Sequence, residues 1–213
     1  MNNPQAGFLL TRHWRDTPRG IELYFWLATD SGPVKVRVPA QQAVAFIPQS
    51  ACEKARGLLS REKAFRLSPL QLLDFHRQPQ AGLYCSQYRQ LQRFEKLLRE
   101  NAIPVAEADI RPPDRYLMER FITAPVWFSG VARDGLIDEA RLKPHPDYRP
   151  SLTWMSLDIE TNEHGELYCI GIEGCGERRG LMLGPPSPGG KAVDFTMERS
   201  EGRRVGNGCS SQW

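Results

Sequence analysis

The 213-residue sequence has no C-x-x-C pair. Its cysteines, Cys52, Cys85, Cys169, Cys175 and Cys209, are scattered, and no histidine stands from them at zinc-finger spacing. A structural zinc site and a disulfide framework are thereby disfavoured. Long apolar runs are also missing. Phe8-Leu9-Leu10 is stopped at once by Arg12, His13 and Arg15, too soon for the core of a signal peptide, and no other run approaches a membrane span. The expectation is a cytoplasmic chain with no membrane partner. Charge of one sign does not dominate: a net charge of +3 permits a polyanionic partner without requiring one. Hydrophobic residues at 40% and charged residues at 25% are the mixture of a folded chain, long enough for one large domain or two small ones.

The first third reads as β. Runs from Phe8 to Trp14 and from Ile21 to Thr29 flank the turn Asp16-Thr17-Pro18-Arg19-Gly20. Asp30-Ser31-Gly32-Pro33 then leads into Val34-Lys35-Val36-Arg37-Val38, which alternates strictly, and a fourth run, Ala43 to Ile47, stops at Pro48. Four strands in an open sheet leave exposed edges, so this meander must curl or be covered. Trp14, Tyr24, Phe25 and Trp26 suit either stacking on nucleic-acid bases or filling the core of a small sheet; core filling is the commoner use.

Helical signals follow. Ser50-Ala51-Cys52-Glu53 has the form of a capping box ahead of Lys54 to Leu59, and Ser68-Pro69 resembles a cap with first-turn proline for a helix from Leu70 to His76. A short strand, Gly82 to Cys85, precedes a helix on which Tyr88, Leu91, Phe94 and Leu98 recur at helical spacing, with Ser86 as its cap. Arg89, Arg93, Lys96 and Arg99 line the other side of that helix, a pattern that more often marks a solvated face than a phosphate site. Val105 to Ile110 reads as a strand, and Pro113 starts a helix with Leu117 and Phe121 on its apolar stripe. Val126 to Phe128 and Ile137 to Leu142, joined by Arg133-Asp134-Gly135, read as strands of a second sheet.

Pro144, Pro146 and Pro150 make a stiff linker, and a domain boundary is expected in front of Ser151. Beyond it comes a hairpin, with its turn at Asn162-Glu163-His164-Gly165, a second strand from Glu166 to Ile172, and a weaker strand from Arg179 to Leu183. Pro185 to Gly190 is a loop, and from Thr196 to Trp213 only Met197 and Val205 are aliphatic, a composition that does not support a core.

The first strand of that hairpin, in Trp154-Met155-Ser156-Leu157-Asp158-Ile159-Glu160-Thr161, carries the clearest chemistry. Strand alternation sends Leu157 and Ile159 to one face and Asp158 and Glu160 to the other. Like charges at that spacing repel unless a cation sits between them. The pair therefore suits a hard divalent metal held by oxygen, of the kind that cuts phosphodiesters with two metals. An ordinary strand with a wet acidic face has the same pattern.

Two stretches together resemble family B DNA polymerases: Glu107-Ala108-Asp109-Ile110 with Arg115-Tyr116-Leu117-Met118-Glu119-Arg120-Phe121-Ile122, and then Ser156 to Thr161. The likeness extends from Gln5 to about Phe195, through Leu10 to Asp16 and Arg141 to Pro150. It implies an α+β chain: a β-rich N-terminal domain with helices over 1–150, then the first strands of a ribonuclease-H-like 3′–5′ exonuclease domain over 151–195. Residues 196–213 depart from it as a disordered or aberrant tail, the form that an out-of-frame or prematurely ended reading frame would give.

By resemblance, Asp158 and Glu160 fall on the first exonuclease motif and are the catalytic and metal-ligating residues, binding Mg²⁺ or Mn²⁺. The implied partner is DNA, as a single-stranded 3′ end or a template, with a sliding clamp reached through a C-terminal part of the parent polymerase. The second and third exonuclease motifs and the polymerase palm, fingers and thumb do not occur, so this chain is expected neither to polymerise nor to proofread and to retain at most nucleic-acid binding. A stand-alone, non-catalytic nucleic-acid-binding or interaction module is the alternative.

Overall fold

The structure is a computed structural model that describes residues 4–62 and 65–183. Contacts divide the chain after Pro150 into two units, Met1–Pro150 and Ser151–Trp213. The expected loop at Pro185 to Gly190 and the tail from Thr196 lie outside the described residues.

In the first unit, β1 (Gln5–Thr17), β2 (Gly20–Thr29) and β3 (Gly32–Gln41) form the expected meander. β2 places Ile21, Leu23, Phe25 and Leu27 inward, all fully buried, and turns Glu22, Tyr24 and Trp26 outward. This is the period-two pattern of a half-buried strand. The chain then leaves through β4 (Ala43–Pro48), α1 (Cys52–Leu58), β5 (Phe65–Leu73), β6 (Pro79–Cys85), α2 (Tyr88–Glu100) and α3 (Pro112–Met118). It returns as β7 (Pro125–Arg133) and β8 (Leu136–Pro144).

β7 and β8 do not make a second sheet as the sequence suggested; they close the first one into a barrel of order β1-β2-β3-β8-β7. β7 pairs antiparallel with β1, and β8 pairs parallel with β3 at Lys35↔Leu136 and Val36↔Ile137. Closure removes the exposed edges that four strands in sequence would have left, and Val126, Phe128, Ala140 and Leu142 fill the interior beside Phe25 and Val36. β4 leaves the barrel for a separate sheet of order β4-β6-β5, on which α2 packs Leu91, Phe94 and Leu98.

Several local expectations are overturned. Leu70 to His76 is not a helix: β5 runs through Ser68 and Pro69 in register with Gly82 and Ala81 of β6. β5 is an edge strand, where a proline without an N–H is tolerated, so sheet pairing prevails over the local helix signal. Val105 to Ile110 makes only one bridge, Ala106 to Phe46, because the backbone turns left-handed at Glu107 (φ 59°). Phe121 is exposed, since the chain reverses there in a left-handed conformation (φ 53°) and Ile122 takes the buried place instead.

The second unit is an antiparallel meander of β9 (Met155–Thr161), β10 (Leu167–Gly174) and β11 (Glu177–Met182), in the order β11-β10-β9. Asn162 shapes the first turn, its side-chain oxygen accepting the N–H groups of His164 and Glu166. Gly174 is required in the second: its φ is 125°, and a Cβ there would lie 2.3 Å from the Trp154 carbonyl oxygen. Among the described residues, no helix is long and apolar enough to cross a membrane.

Candidate metal centre

Register fixes the surroundings of Asp158 and Glu160. On β10, Asp158 stands opposite Gly171 and Glu160 opposite Cys169, while Leu157 and Ile159 stand opposite Ile172 and Ile170. Residues directly opposite share a face of the sheet. One face is therefore aliphatic, and the other carries Ser156, Asp158 and Glu160 with Gly171 and Cys169 across from them.

Gly171 leaves the space beside Asp158 open: a Cβ built there would come only to 3.8 Å from the Asp158 Cβ. Both acids are exposed. Neither forms an ion pair or hydrogen bond with a described residue, so their oxygens are available as ligands. Glu173 also stands on this face, opposite Ser156 on one side and Arg178 of β11 on the other. Among the described residues no three His, Cys, Asp or Glu side chains come close enough to hold one metal ion. The donor chemistry of Asp158 and Glu160 fits a hard cation such as Mg²⁺ or Mn²⁺, and as a set of ligands the pair is partial. Leu157 and Ile159 are 59% and 52% exposed, so the face of β9 opposite the two acids is apolar.

The four aromatic residues divide between the core and the outer face of the barrel. Phe25 is core, and Trp14 packs edge-on against Tyr88. Tyr24 and Trp26 point out of the barrel, each with the Lys35 ammonium 4.9 Å from its ring centre. Beside them Arg37 grips Asp138 with two bonds, Nε to Oδ1 at 2.8 Å and Nη2 to Oδ2 at 2.7 Å. The hydrogen bonding from Arg37 holds the Asp138 carboxyl below the usual carboxylate range. Sequence reading passed over this pair because 101 residues separate its partners. Burial pushes the Cys85 thiol up to about 12, which makes it an inert core residue.

Known proteins match along the chain. A family model described as DNA polymerase II, N-terminal, matches residues 7–42, the segment of β1 to β3. A second, DNA polymerase II, insertion domain, matches residues 43–103, which lie between the third and fourth strands of the barrel. The chain is 60% identical over 194 residues to DNA polymerase II of Escherichia coli (strain K12), a match that covers 91% of this chain and 25% of that protein. It thus spans about a quarter of the length of this curated relative. The fold also resembles that of the family B DNA polymerase of the hyperthermophilic archaeon Pyrobaculum calidifontis, with a TM-score of 0.62 at 15% identity over 83% of this chain and 26% of that one.

Proposed function

Because this chain belongs to the DNA polymerase II family, we propose that Asp158 and Glu160 are the first ligand pair of a 3′–5′ exonuclease centre and that its partner is DNA. The observation that carries the reading is the shared, open face: two carboxylates without a partner among the described residues, with Gly171 opposite Asp158. When bound, a Mg²⁺ or Mn²⁺ ion would supply an activated water and charge stabilisation at the leaving 3′ oxygen. Asp158 and Glu160 would hold such a cation by their oxygens, and the apolar face of β9 behind them would take the covering that a buried active-site strand needs.

Two carboxylates supply few of the oxygen ligands that Mg²⁺ demands, so the described residues would bind the ion weakly and would not fix the water of hydrolysis. In this reading the chain alone neither removes 3′ nucleotides nor extends them, and a sliding clamp engages sequence outside these residues. In this reading the chain works on DNA in the cytoplasm, as expected of a relative of a bacterial DNA polymerase II.

Titration of the purified chain with Mn²⁺, followed by the loss of the free-ion paramagnetic resonance signal, tests the assignment. Weak binding that disappears in Asp158→Asn and in Glu160→Gln is expected; identical titrations for the parent and both variants would remove the two residues from the metal site. Exonuclease activity by the purified chain, abolished by Asp158→Ala, would overturn the statement that the pair is insufficient.

A further inference from the structure

One outward face of the barrel carries cations that have no acid partner among the described residues. On β7 and β8, Trp127 stands opposite Lys143 and Ser129 opposite Arg141. These four residues, with Pro4 and Phe128, line a groove of about 550 Å³. Arg141 and Lys143 are both exposed, and neither forms an ion pair or hydrogen bond with any described residue. The nearest acid along β8, Glu139, faces the Arg133 guanidinium at 3.8 Å. Arg141 and Lys143 also border the adjoining cleft of about 440 Å³, which Tyr116 and Arg120 help to line, so they stand on a ridge between two hollows.

Trp127 is held in place by its neighbours. The His145 ring stacks on it at 4.0 Å and 10°, Tyr148 stacks on His145 at 5.8 Å, and the Tyr148 hydroxyl bonds Asp30 at 3.0 Å. With one face of the indole covered by His145, Trp127 is still 40% exposed. A fixed aromatic plane beside two unpaired cations is what an unpaired base and its flanking phosphates require: stacking is tolerant of sequence, and the cations neutralise the backbone. A duplex keeps its bases stacked on each other and would offer this groove only phosphates.

The alternative surface is already closed on itself. Five-stranded Greek-key barrels commonly bind oligonucleotides on the outer face of their second and third strands. Here Lys35 lies over both Tyr24 and Trp26, while Arg15 and Arg37 are paired with Glu22, and Arg37 also with Asp138.

We propose that the β7–β8 groove binds single-stranded DNA, with one base stacked on Trp127 and the neighbouring phosphates on Arg141 and Lys143. This rests on the reading of DNA as the partner and names the surface that takes it. The test is fluorescence anisotropy of the full chain with a short labelled oligothymidylate across roughly 50–200 mM salt. Neutralising Arg141→Gln with Lys143→Gln should weaken binding by about tenfold or more and flatten the log–log salt slope by about 1.4, the value for two phosphates of a single strand. Trp127→Leu should weaken binding by about tenfold while leaving the slope unchanged, and Trp127→Phe should restore it. Arg89→Gln with Lys96→Gln, on the exposed side of α2, should leave the affinity as it was.

Binding by the parent chain that survives all the groove variants would overturn the groove and leave DNA as the partner. Equal affinity for the matching duplex, or equal loss in the α2 control, would also overturn it. No binding by the parent chain at the lowest salt would overturn both the groove and the DNA reading.

Discussion

The carboxylate of Asp16, at the end of β1, caps α2: Oδ1 accepts the backbone N–H of Tyr88 at 2.9 Å, and Oδ2 that of Arg89 at 3.0 Å. These are first-turn N–H groups, which have no partner within their own helix. The negative charge also lies at the positive end of the helix dipole. The cap reaches across 72 residues and ties the barrel to the inserted segment that α2 belongs to. Asp16→Ala should therefore cost about 1–2 kcal/mol, or a fall in Tm of roughly 2–8 °C at this size. Asp16→Asn, which keeps an acceptor without the charge, should recover part of that loss. Thermal unfolding followed by circular dichroism decides it, and an alanine variant with an unchanged Tm would show that the contact contributes nothing.

The Arg37–Asp138 pair should shape stability against pH. Asp138 is buried, and its pKa is lowered in the folded state, mainly by the hydrogen bonding from Arg37. A depressed carboxyl contributes stability that is complete above its unfolded pKa of ~3.9 and is lost as pH falls through the folded value. At neutral pH, Asp138→Ala takes from the Arg37 guanidinium its two-bond partner, with Glu22 remaining at 3.2 Å, and should cost about 2–4 kcal/mol. Urea denaturation at neutral pH and at about pH 3 measures both effects. In Asp138→Asn the loss of stability on acidification should be smaller than in the parent; an equal loss would remove Asp138 from the acid response.

Sequence alone made the strands legible where alternation was complete. Ile21, Leu23, Phe25 and Leu27 announce an inward face, and Leu157 and Ile159 against Asp158 and Glu160 announce two distinct faces. What stayed hidden depends on partners distant in the chain. Ser86 looked like the cap of α2, yet the helix begins after Gln87 with no side-chain cap of its own, and Asp16 serves it from β1. Ser50 likewise does not cap α1, which follows a 3-10 turn at Gln49–Ala51. Ser68-Pro69 promised a helix because local chemistry cannot register that β6 presents an edge for pairing. Barrel closure was out of reach for the same reason: the parallel contact of Val36 with Ile137 joins segments that carry no mutual signal. The groove beside Trp127 appears only once Arg141 and Lys143 are known to share its face.

The end of α2 carries a removable strain. The Ile103 N–H bonds the Leu98 carbonyl at 2.9 Å and the Ala102 N–H bonds that of Arg99 at 3.0 Å, the paired reverse bonds of a Schellman ending. Such an ending needs a left-handed residue, and here it is Ala102, with φ at 57°. An L-residue with a Cβ costs roughly 1–2 kcal/mol in that conformation, whereas glycine adopts it freely. The gain from Ala102→Gly is reduced by the greater freedom of glycine in the unfolded chain, about 0.4–1 kcal/mol. The ending is otherwise well anchored: Ile103 is buried beside Leu98, and the Asn101 side chain donates to the Leu97 carbonyl at 2.9 Å. Ala102→Gly should thus stabilise the chain by about 0.5–1 kcal/mol, seen as a higher urea midpoint at unchanged slope. A lower midpoint would mean that Ala102 lies comfortably in its left-handed conformation and that the strain assigned to it is absent.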